Sequence, residues 1–312
     1  MKNPLLSVVL PAYNEEKMIL KAAETVDKIL RDAEIPHEIL FVDDGSKDRT
    51  WEQICAATKK IATVRGVHFS RNFGKEAAMF AGLTYAKGGA VAVMDCDLQH
   101  PAEKLVEMYR KWEQGYEVVE GVKASRGKES KFHAWCAKKF YDLISRATGV
   151  DMSRASDFKL LDRKAVDAVL SCKEKHAFFR ALSSWVGFRV CSVSFDVQAR
   201  TEGESKWSRG ALVRYAISNI TSFSTLPMKL ITYLGVFVFC ISILFGGISL
   251  VQKLAGVALS GFTTVILLQL LIGSVLMICL GIIGYYLGKI FEELQGRPRF
   301  IVSETADAET EE

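Results

Sequence analysis

The sequence predicts an α/β domain with a mainly parallel sheet, followed by two C-terminal transmembrane helices. Three observations predict this: short apolar runs alternate with helical segments over residues 5–122, polar clusters directly follow several runs, and two later stretches carry no charge. Strands that alternate with helices are typical of doubly wound sheets, in which ligands bind beyond the carboxyl ends of the strands. The apolar fraction of 49% and the charged fraction of 24% exclude a disordered chain and a disulfide miniprotein.

The strands and helices are expected in alternation along the first part of the chain. Apolar runs predict strands at 5–10, 38–42, 64–69, 90–94 and 117–122, and an alternating pattern predicts another at 189–197. Helical periodicity predicts helices at 15–31, 48–61, 74–86 and 131–148. Asp48 is expected to cap the second of these helices, and Pro101 to start a further one.

Two stretches are long and apolar enough to cross a bilayer. Residues 230–251 and 264–287 contain no charged side chain, and a spanning helix needs about 20 apolar residues. Basic residues flank the pair on both outer sides, whereas the connecting loop contains only Lys253. Because cytoplasmic flanks carry an excess of basic residues, we expect both outer ends and the N-terminal domain in the cytoplasm.

Cysteine usage indicates the redox compartment of the protein, and its net charge indicates the kind of partner. The seven cysteines are scattered and never spaced CxxC, so we expect free thiols in a reducing compartment, with neither disulfides nor a zinc site. The formal net charge of +4 suits phosphates, nucleotides or anionic lipid surfaces, or is simply a solubilising excess. Residues 303–312 contain five acidic residues and no Lys or Arg, and we expect this tail to be disordered.

The residues after the fourth predicted strand have the clearest chemical meaning. Asp95 and Asp97 leave a buried run two positions apart, so both carboxylates can face one hard cation. Mg²⁺ and Mn²⁺ prefer oxygen ligands and readily share their coordination with substrate phosphates. The alternative is that an aspartate only caps the helix that begins at Pro101.

A second acidic pair closes the second predicted strand. Asp43 and Asp44 can accept hydrogen bonds from a base N–H or from a ribose hydroxyl. The alternative is a plain turn, because Asp-Gly-Ser favours turns by itself.

Six basic residues lie near strand ends or in loops of the same predicted edge. They are Arg71, Lys75, Lys123, Arg126, Arg200 and Lys206. Arginine suits bidentate phosphate contacts and lysine supplies a point charge, although any one of them alone is typical of a solvated surface. Walker A, GxGxxG and GxSxG sequences do not occur at the required places, which argues against P-loop, dinucleotide and α/β-hydrolase sites.

Six motifs occur in a fixed order along the chain. They are PAYNE at 11–15, DDGS at 43–46, SRNFGKE at 70–76, DCDLQHP at 95–101, DFKLLDR at 157–163 and GESKW at 203–207. With the two apolar stretches, they resemble family 2 glycosyltransferases of the GT-A fold. The resemblance is closer to the bacterial polyprenyl-phosphate glycosyltransferases related to dolichyl-phosphate mannose synthase, which include the bactoprenol glucosyltransferases. It covers about residues 5–300 and is specific for the family but not for the sugar.

The resemblance implies roles for matching positions. The implied nucleotide contacts are Pro11, Tyr13, Glu15, Asp43, Asp44, Lys75 and Asp95. The implied metal ligands are Asp95, Asp97 and Gln99. The implied phosphate contacts are Arg126, Arg200 and Lys206. Asp157 matches a proposed catalytic carboxylate, and Asp97 is the second catalytic candidate. The chain departs from the family pattern at two positions, with Cys96 where Ala is usual and Lys123 where Arg is frequent. The second difference replaces a planar guanidinium by a point charge at a position that contacts phosphate in the family.

The resemblance also implies a reaction. It is the inverting transfer of a hexose, with UDP-glucose as the first candidate donor, to undecaprenyl phosphate, with Mg²⁺ or Mn²⁺ as cofactor. The acceptor phosphate has a second pKa of about 6 and is largely ionised at pH 7, so both a base role and an orienting role are open for Asp157. The implied partners are the UDP-sugar, undecaprenyl phosphate, the bilayer and further copies in a homotetramer, with no nucleic acid.

The implied location is the bacterial inner membrane, with the catalytic domain in the cytoplasm. The expected boundaries are a catalytic domain at 1–207, an amphipathic juxtamembrane helix at 208–228, two spans within 229–288 and a cytoplasmic tail at 289–312.

Three alternatives compete with this prediction. Within the enzyme class, the donor could be GDP-mannose. A processive polysaccharide synthase is disfavoured because the chain has no QxxRW sequence and only two apolar spans. A non-catalytic membrane scaffold is disfavoured by the intact set of carboxylates and cations.

Overall fold

The computed structural model describes residues 4–123, 156–172, 174, 178–196, 226–255 and 261–307. The chain divides into two units, one formed by Met1–Ser208 together with Arg297–Glu312 and the other by Arg209–Gly296. The helix predicted at 131–148 and most of the one predicted at 208–228 lie outside the described residues.

An eight-stranded sheet is the framework of the first unit. Its strands are β1 (Leu6–Ala12), β2 (His37–Asp43), β3 (Val64–Phe69), β4 (Ala90–Val93), β5 (Val118–Lys123), β6 (Lys159–Asp162), β7 (Val190–Phe195) and β8 (Val302–Ala306). Their order across the sheet is β7-β5-β6-β4-β1-β2-β3-β8. The pairs β1–β2, β1–β4, β2–β3 and β5–β7 are parallel, whereas β3–β8, β4–β6 and β5–β6 are antiparallel. The mainly parallel sheet is therefore confirmed.

Six described helices belong to this unit. They are α1 (Ile19–Asp32), α2 (Thr50–Lys60), α3 (Lys75–Tyr85), α4 (Lys104–Glu113), α5 (Arg163–Ser171) and α6 (Phe179–Trp185). The core forms because the central strands have mainly apolar runs: residues 39–42 of β2 are apolar and fully buried. Helix α1 buries Ile19, Ala22, Val26 and Leu30, which share one face at helical spacing.

Two helices begin later than the pattern predicts. Helix α1 begins at Ile19 rather than at Glu15, because Glu15 N donates to Thr50 Oγ1 at 2.9 Å and stays in the loop. Helix α2 begins at Thr50, and Asp48 lies one residue before its N-cap. The Asp48 carboxylate nevertheless accepts from the backbone N of Thr50 at 3.0 Å, so it still satisfies a donor of the first turn.

The sequence pattern predicts neither β6 nor β8, and both pair antiparallel to their neighbours. The expectation that the tail is disordered from Ser303 is wrong for residues 303–306, because this segment pairs with the edge of β3. Phe300 stacks on Phe69 at 5.2 Å between ring centroids, and Ser70 N donates to Ile301 O at 3.0 Å. The acidic segment is ordered because it satisfies the open hydrogen-bonding groups of an edge strand.

The second unit contains two long apolar helices, α7 (Leu226–Leu254) and α8 (Phe262–Leu294). The windows Ile231–Ile248 and Leu271–Leu294 are long and apolar enough to cross a membrane, and no part of either is buried within the protein. Helix α8 continues beyond the predicted end of the second span at Gly288.

Candidate active site

The carboxyl ends of three neighbouring parallel strands bring the predicted polar clusters to one edge of the sheet. β1 lies between β2 and β4 and runs parallel to both, so the residues that follow these strands share an edge. β6 is antiparallel to β4, with Lys159 opposite Val93, so β6 begins at this edge. The antiparallel strand therefore brings Asp157 to Asp95, which follows β4.

The ammonium of Lys75 links these two carboxylates. Its Nζ lies 2.6 Å from Asp95 Oδ1 and 3.0 Å from Asp157 Oδ2. The Asp157 side chain is 7% exposed, whereas the side chains of Asp95 and Lys75 are 31% and 45% exposed. Asp157 is therefore the inner carboxylate of the group, and Asp95 faces solvent.

Arg180 is a second partner of Asp157, and no motif in the sequence indicates it. Its Nε donates to Asp157 Oδ1 at 2.5 Å and its Nη2 donates to Oδ2 at 2.7 Å. Burial would raise the pKa of Asp157, but the hydrogen bonds and charges of Arg180 and Lys75 outweigh it and hold that pKa well below its usual range. Asp157 is therefore ionised at neutral pH, and it accepts three hydrogen bonds, one from Lys75 and two from Arg180.

Glu76 is the other residue that sequence reasoning missed. Its Oε2 accepts a hydrogen bond from the backbone N of Phe179 at 2.9 Å, at the start of α6. Burial raises the pKa of Glu76 to about 7, and the charge of Asp157 acts in the same direction. The only sequence signal that could have drawn attention to Glu76 is its place in the SRNFGKE motif, next to Lys75.

Asp43 and Asp44 organise the loops around this group. Asp43 is fully buried, accepts from Ser46 N at 3.1 Å and lies 2.7 Å from His68 Nδ1. Asp44 accepts from Phe73 N at 2.6 Å and from Gly74 N at 2.9 Å. Because Gly74 directly precedes α3, Asp44 fixes the start of the helix that carries Lys75. Burial raises the pKa of Asp44 to about 6.

Gly45 allows two motif loops to pack in contact. Its φ of +63° lies in the left-handed region, and a Cβ there would lie 2.4 Å from Arg71 C and 2.7 Å from Asn72 N. Any larger residue would separate the DDGS loop from the SRNFGKE loop. Both motifs therefore depend on this one glycine.

The DCDLQ segment forms a tight turn after β4. Gln99 N donates to Asp97 Oδ1 at 3.0 Å, and Leu98 has a φ of +56°, which is unusual for a residue with a side chain. Such strained backbone costs about 1–3 kcal/mol and is concentrated at functional sites. Asp95, Asp97 and Gln99 are partly exposed, whereas Cys96 between them is buried, so Cys96 does not share their surface.

The donor set of this turn fits a hard divalent cation that arrives with a substrate. In the described part of the chain, no group of three or more His, Cys, Asp or Glu side chains could hold a metal ion. Mg²⁺ is usually bound by one or two carboxylates together with substrate phosphates, and an aspartate pair meets that need. Asp95 also already faces a cation, the Lys75 ammonium.

The remaining predicted residues divide into those at the site edge and those that are not described. Pro11 lies within β1, Tyr13 is 37% exposed just after it, and Glu15 follows in the same loop. Arg126, Arg200 and Lys206 lie outside the described residues, so their predicted phosphate contacts stay predictions.

Comparison with known proteins supports one family. Residues 7–170 match the model of Glycosyl transferase family 2. An uncharacterised glycosyltransferase of Synechocystis sp. is 38% identical over 301 residues, covering 96% of this chain and 95% of that protein. The bactoprenol glucosyl transferase of Shigella phage SfV is 34% identical over 299 residues, covering 95% of this chain and 97% of that protein.

Solved structures share the fold at lower identity. The glucosyl-3-phosphoglycerate synthase of Mycobacterium tuberculosis, crystallised with phosphoglyceric acid, has a TM-score of 0.50 and 20% identity, covering 70% of this chain and 80% of that chain. This likeness confirms the predicted GT-A type of fold. From the family match and the near-full-length relatives, the chain belongs to glycosyl transferase family 2.

Proposed function

We propose that the protein transfers a hexose from a nucleotide sugar, UDP-glucose first, to the phosphate of undecaprenyl phosphate. The observation that carries this proposal is the group of Asp95, Lys75, Asp157 and Arg180 at the carboxyl edge of the sheet, which alternates negative and positive charge. Two helices of membrane length follow in the same chain, which suits an acceptor that lies in the bilayer. Relatives named bactoprenol glucosyl transferase support this acceptor class.

The donor's diphosphate would bind at the turn after β4. Asp95 and Asp97, with Gln99, would hold Mg²⁺ or Mn²⁺, and such an ion supplies Lewis-acid neutralisation of a diphosphate leaving group. Lys75 adds a positive charge beside Asp95.

The nucleoside would lie against the loops that follow β1 and β2. The proposed contacts there are Pro11, Tyr13, Glu15, Asp43 and Asp44. Asp43 is fully buried and Asp44 nearly so, and both already accept loop hydrogen bonds, so a nucleoside contact to either requires the DDGS loop to open when the donor binds. Arg126, Arg200 and Lys206 complete the proposal as contacts to donor or acceptor phosphates.

The acceptor attacks without a strong base. A phosphate oxygen of the lipid bonds to the anomeric carbon, the bond from that carbon to the diphosphate breaks, and the nucleoside diphosphate leaves with inversion. The lipid phosphate is largely ionised at pH 7, because its second pKa is about 6. Asp157, with its lowered pKa, is a poor proton acceptor, which favours an orienting role over a base role.

In our proposal the course of the chain keeps both outer ends of the helix pair on the same side of the membrane. The residues on both sides of the Arg209–Gly296 unit belong to the first unit, and β8 pairs with β3. A chain that leaves one domain for the membrane and returns to it crosses the bilayer an even number of times, which two spanning helices satisfy. Together with the basic flanks, this supports our proposal that both outer ends lie on the cytoplasmic side of the bacterial inner membrane. We propose a homotetramer on the basis of the family resemblance alone.

A donor panel tests the proposal. Purified full-length protein is incubated with undecaprenyl phosphate, Mn²⁺ or Mg²⁺, and UDP-glucose, UDP-N-acetylglucosamine, UDP-galactose or GDP-mannose, and the lipid product is identified by mass spectrometry. We expect one UDP-sugar to give a singly glycosylated lipid. If only GDP-mannose gives product, the donor is GDP-mannose and not a UDP-sugar. Absence of product with every donor would contradict the proposed activity.

A further inference from the structure

Helix α6 contacts the candidate site through one arginine. Arg180, the second residue of the helix, donates from Nε and Nη2 to the two different oxygens of Asp157. A planar guanidinium that donates to both oxygens fixes the position and the plane of a carboxylate together. Asp157, which is 6% exposed, therefore has one orientation while Arg180 stays in place.

Lys159 anchors the backbone of α6. Its side chain is 0% exposed, and its Nζ lies 2.6 Å from Glu120 Oε1. The same Nζ donates to Ser183 Oγ and Ser184 Oγ, each at 2.9 Å, and to Arg180 O at 3.4 Å. A buried ammonium is costly unless it is paired and hydrogen-bonded, so these contacts hold the helix in one place.

Glu76 holds the other end of the same helix. Its carboxylate accepts from Phe179 N at 2.9 Å, while Lys75, the preceding residue, contacts Asp157. The first turn of α3 is therefore tied both to α6 and to the carboxylate that α6 holds. A short helix with both ends anchored in this way is a rigid support for the side chain of Arg180.

We propose that Arg180 is a positioning residue: by fixing Asp157, it holds the Lys75 ammonium between Asp157 and Asp95, where the diphosphate leaves. This inference rests on the proposed function. Lys75 lies at hydrogen-bonding distance from both carboxylates, so its position depends on where each of them is held. Without Arg180, Asp157 keeps its hydrogen bond from Lys75 but loses the two that fix its plane, and the cation is displaced from the place where negative charge develops in the transition state.

The test compares Arg180→Gln and Arg180→Lys with Arg189→Gln in the full-length enzyme. Arg189 is an exposed arginine that stacks on Tyr116 at 4.7 Å, so it controls for the loss of an arginine as such. We expect Arg180→Gln to lower kcat by about 100-fold, the usual cost of a misplacement of about 1 Å, with the donor KM changed by less than about threefold. Arg180→Lys should retain an intermediate kcat, and Arg189→Gln should retain the wild-type value. Guanidinium ion at millimolar concentration should restore part of the activity of Arg180→Gln.

Two outcomes would overturn the positioning role. One is an unchanged kcat in Arg180→Gln, whether or not the KM rises. The other is a loss of activity in both Arg180 variants that follows their unfolding and is not relieved by guanidinium. The wild type separates the two proposals. If the wild type turns over a donor and Arg180→Gln does so equally well, only the positioning role fails. If the wild type turns over no donor, the proposed function fails and the inference fails with it.

Discussion

The ammonium of Lys75 lies 2.6 Å from the Asp95 carboxylate, where we propose that a divalent cation binds. Burial would lower the pKa of Lys75, but the charges and hydrogen bonds of Asp95 and Asp157 outweigh it and raise that pKa above its usual value, so the lysine stays charged. A divalent cation that binds Asp95 must therefore either displace the Lys75 ammonium or share the Asp95 carboxylate with it. Asp95, Asp157, Lys75 and Arg180 together have no net formal charge before the donor binds, and the nucleotide brings both extra negative charge and the phosphate ligands.

This balance predicts a competition between Lys75 and the metal ion. Lys75→Met removes the charge at similar length, so Mn²⁺ should bind the nucleotide-free enzyme roughly two- to fivefold more tightly, as expected for a partly exposed ion pair. The free Mn²⁺ signal in electron paramagnetic resonance titrations measures the affinity. Lys59→Met, at an exposed lysine of α2, is the control and should leave the affinity unchanged. Equal or weaker Mn²⁺ binding by Lys75→Met would show that Lys75 does not compete with the metal ion.

Glu76 predicts a pH dependence of stability. Burial raises its pKa from 4.5 to about 7, so the folded protein binds this proton more tightly than the unfolded chain does. Stability therefore falls as the pH rises from 4.5 to 7, by roughly 3 kcal/mol for this group. Glu76→Gln keeps an acceptor for Phe179 N without titrating, so its Tm should exceed the wild-type Tm at pH 8 and approach it at pH 5. Differential scanning fluorimetry measures both Tm values.

A matched substitution checks the assignment to Glu76. Glu107→Gln alters an exposed acid that pairs with Lys104 on α4, and its Tm difference from the wild type should not vary with pH. If the Tm difference between Glu76→Gln and the wild type is the same at pH 5 and pH 8, the carboxyl of Glu76 does not titrate in this range.

Gly45 predicts that the two motif loops cannot tolerate a methyl group between them. Gly45→Ala combines a left-handed residue with a contact of 2.4 Å to the backbone of Arg71, and should lower the Tm by on the order of 5–10 °C. Gly187→Ala is the control, because Gly187 has a similar φ of +74° but its Cβ would meet nothing closer than 3.8 Å. Equal Tm losses in the two variants would show that left-handed strain alone, and not the loop contact, explains the effect.

The C-terminal strand predicts that the catalytic unit needs residues beyond the second long helix. Deleting residues 302–312 removes β8 and Asp307. The hydrogen bond from Trp51 Nε1 to Glu304 and the ion pair between Arg65 and Asp307 are then lost. We expect a Tm loss of several degrees and aggregation, because the edge of β3 becomes open. Deleting only residues 308–312 should leave both properties unchanged. Size-exclusion chromatography and thermal unfolding compare the two deletions, and identical behaviour would contradict a structural role for β8.

The centre of the parallel sheet could be predicted from sequence because β1, β2 and β4 are almost wholly buried. Such strands have mainly apolar runs, and polar residues end each run at the same edge. The strand β6 has only four residues, and β8 has the charged and polar sequence VSETA, so neither has a recognisable period. Their pairing is decided by partners far along the chain: Trp51 and Glu304 are 253 positions apart.

The candidate site likewise combines residues that the sequence indicates with a residue that only the fold brings to the site. Asp95, Asp157 and Lys75 could be named from their motifs, but the contact between Lys75 and Asp157 spans 82 positions and follows from the antiparallel direction of β6. Arg180 could not be named, because α6 has seven residues and no motif surrounds it. Residues that support a site through another side chain leave little local signal, since their role depends only on where the fold places them.

The most direct test of the central claim is calorimetric titration of UDP into the full-length protein with Mn²⁺ and with EDTA, for the wild type and Asp97→Ala. The claim is that the acidic pair after β4 holds a divalent cation together with the nucleotide's diphosphate. The account predicts that the wild type binds UDP only when Mn²⁺ is present, and that Asp97→Ala, folded to the same Tm, binds it at least about 100-fold more weakly. Equal UDP affinity with EDTA, or in Asp97→Ala, would contradict it.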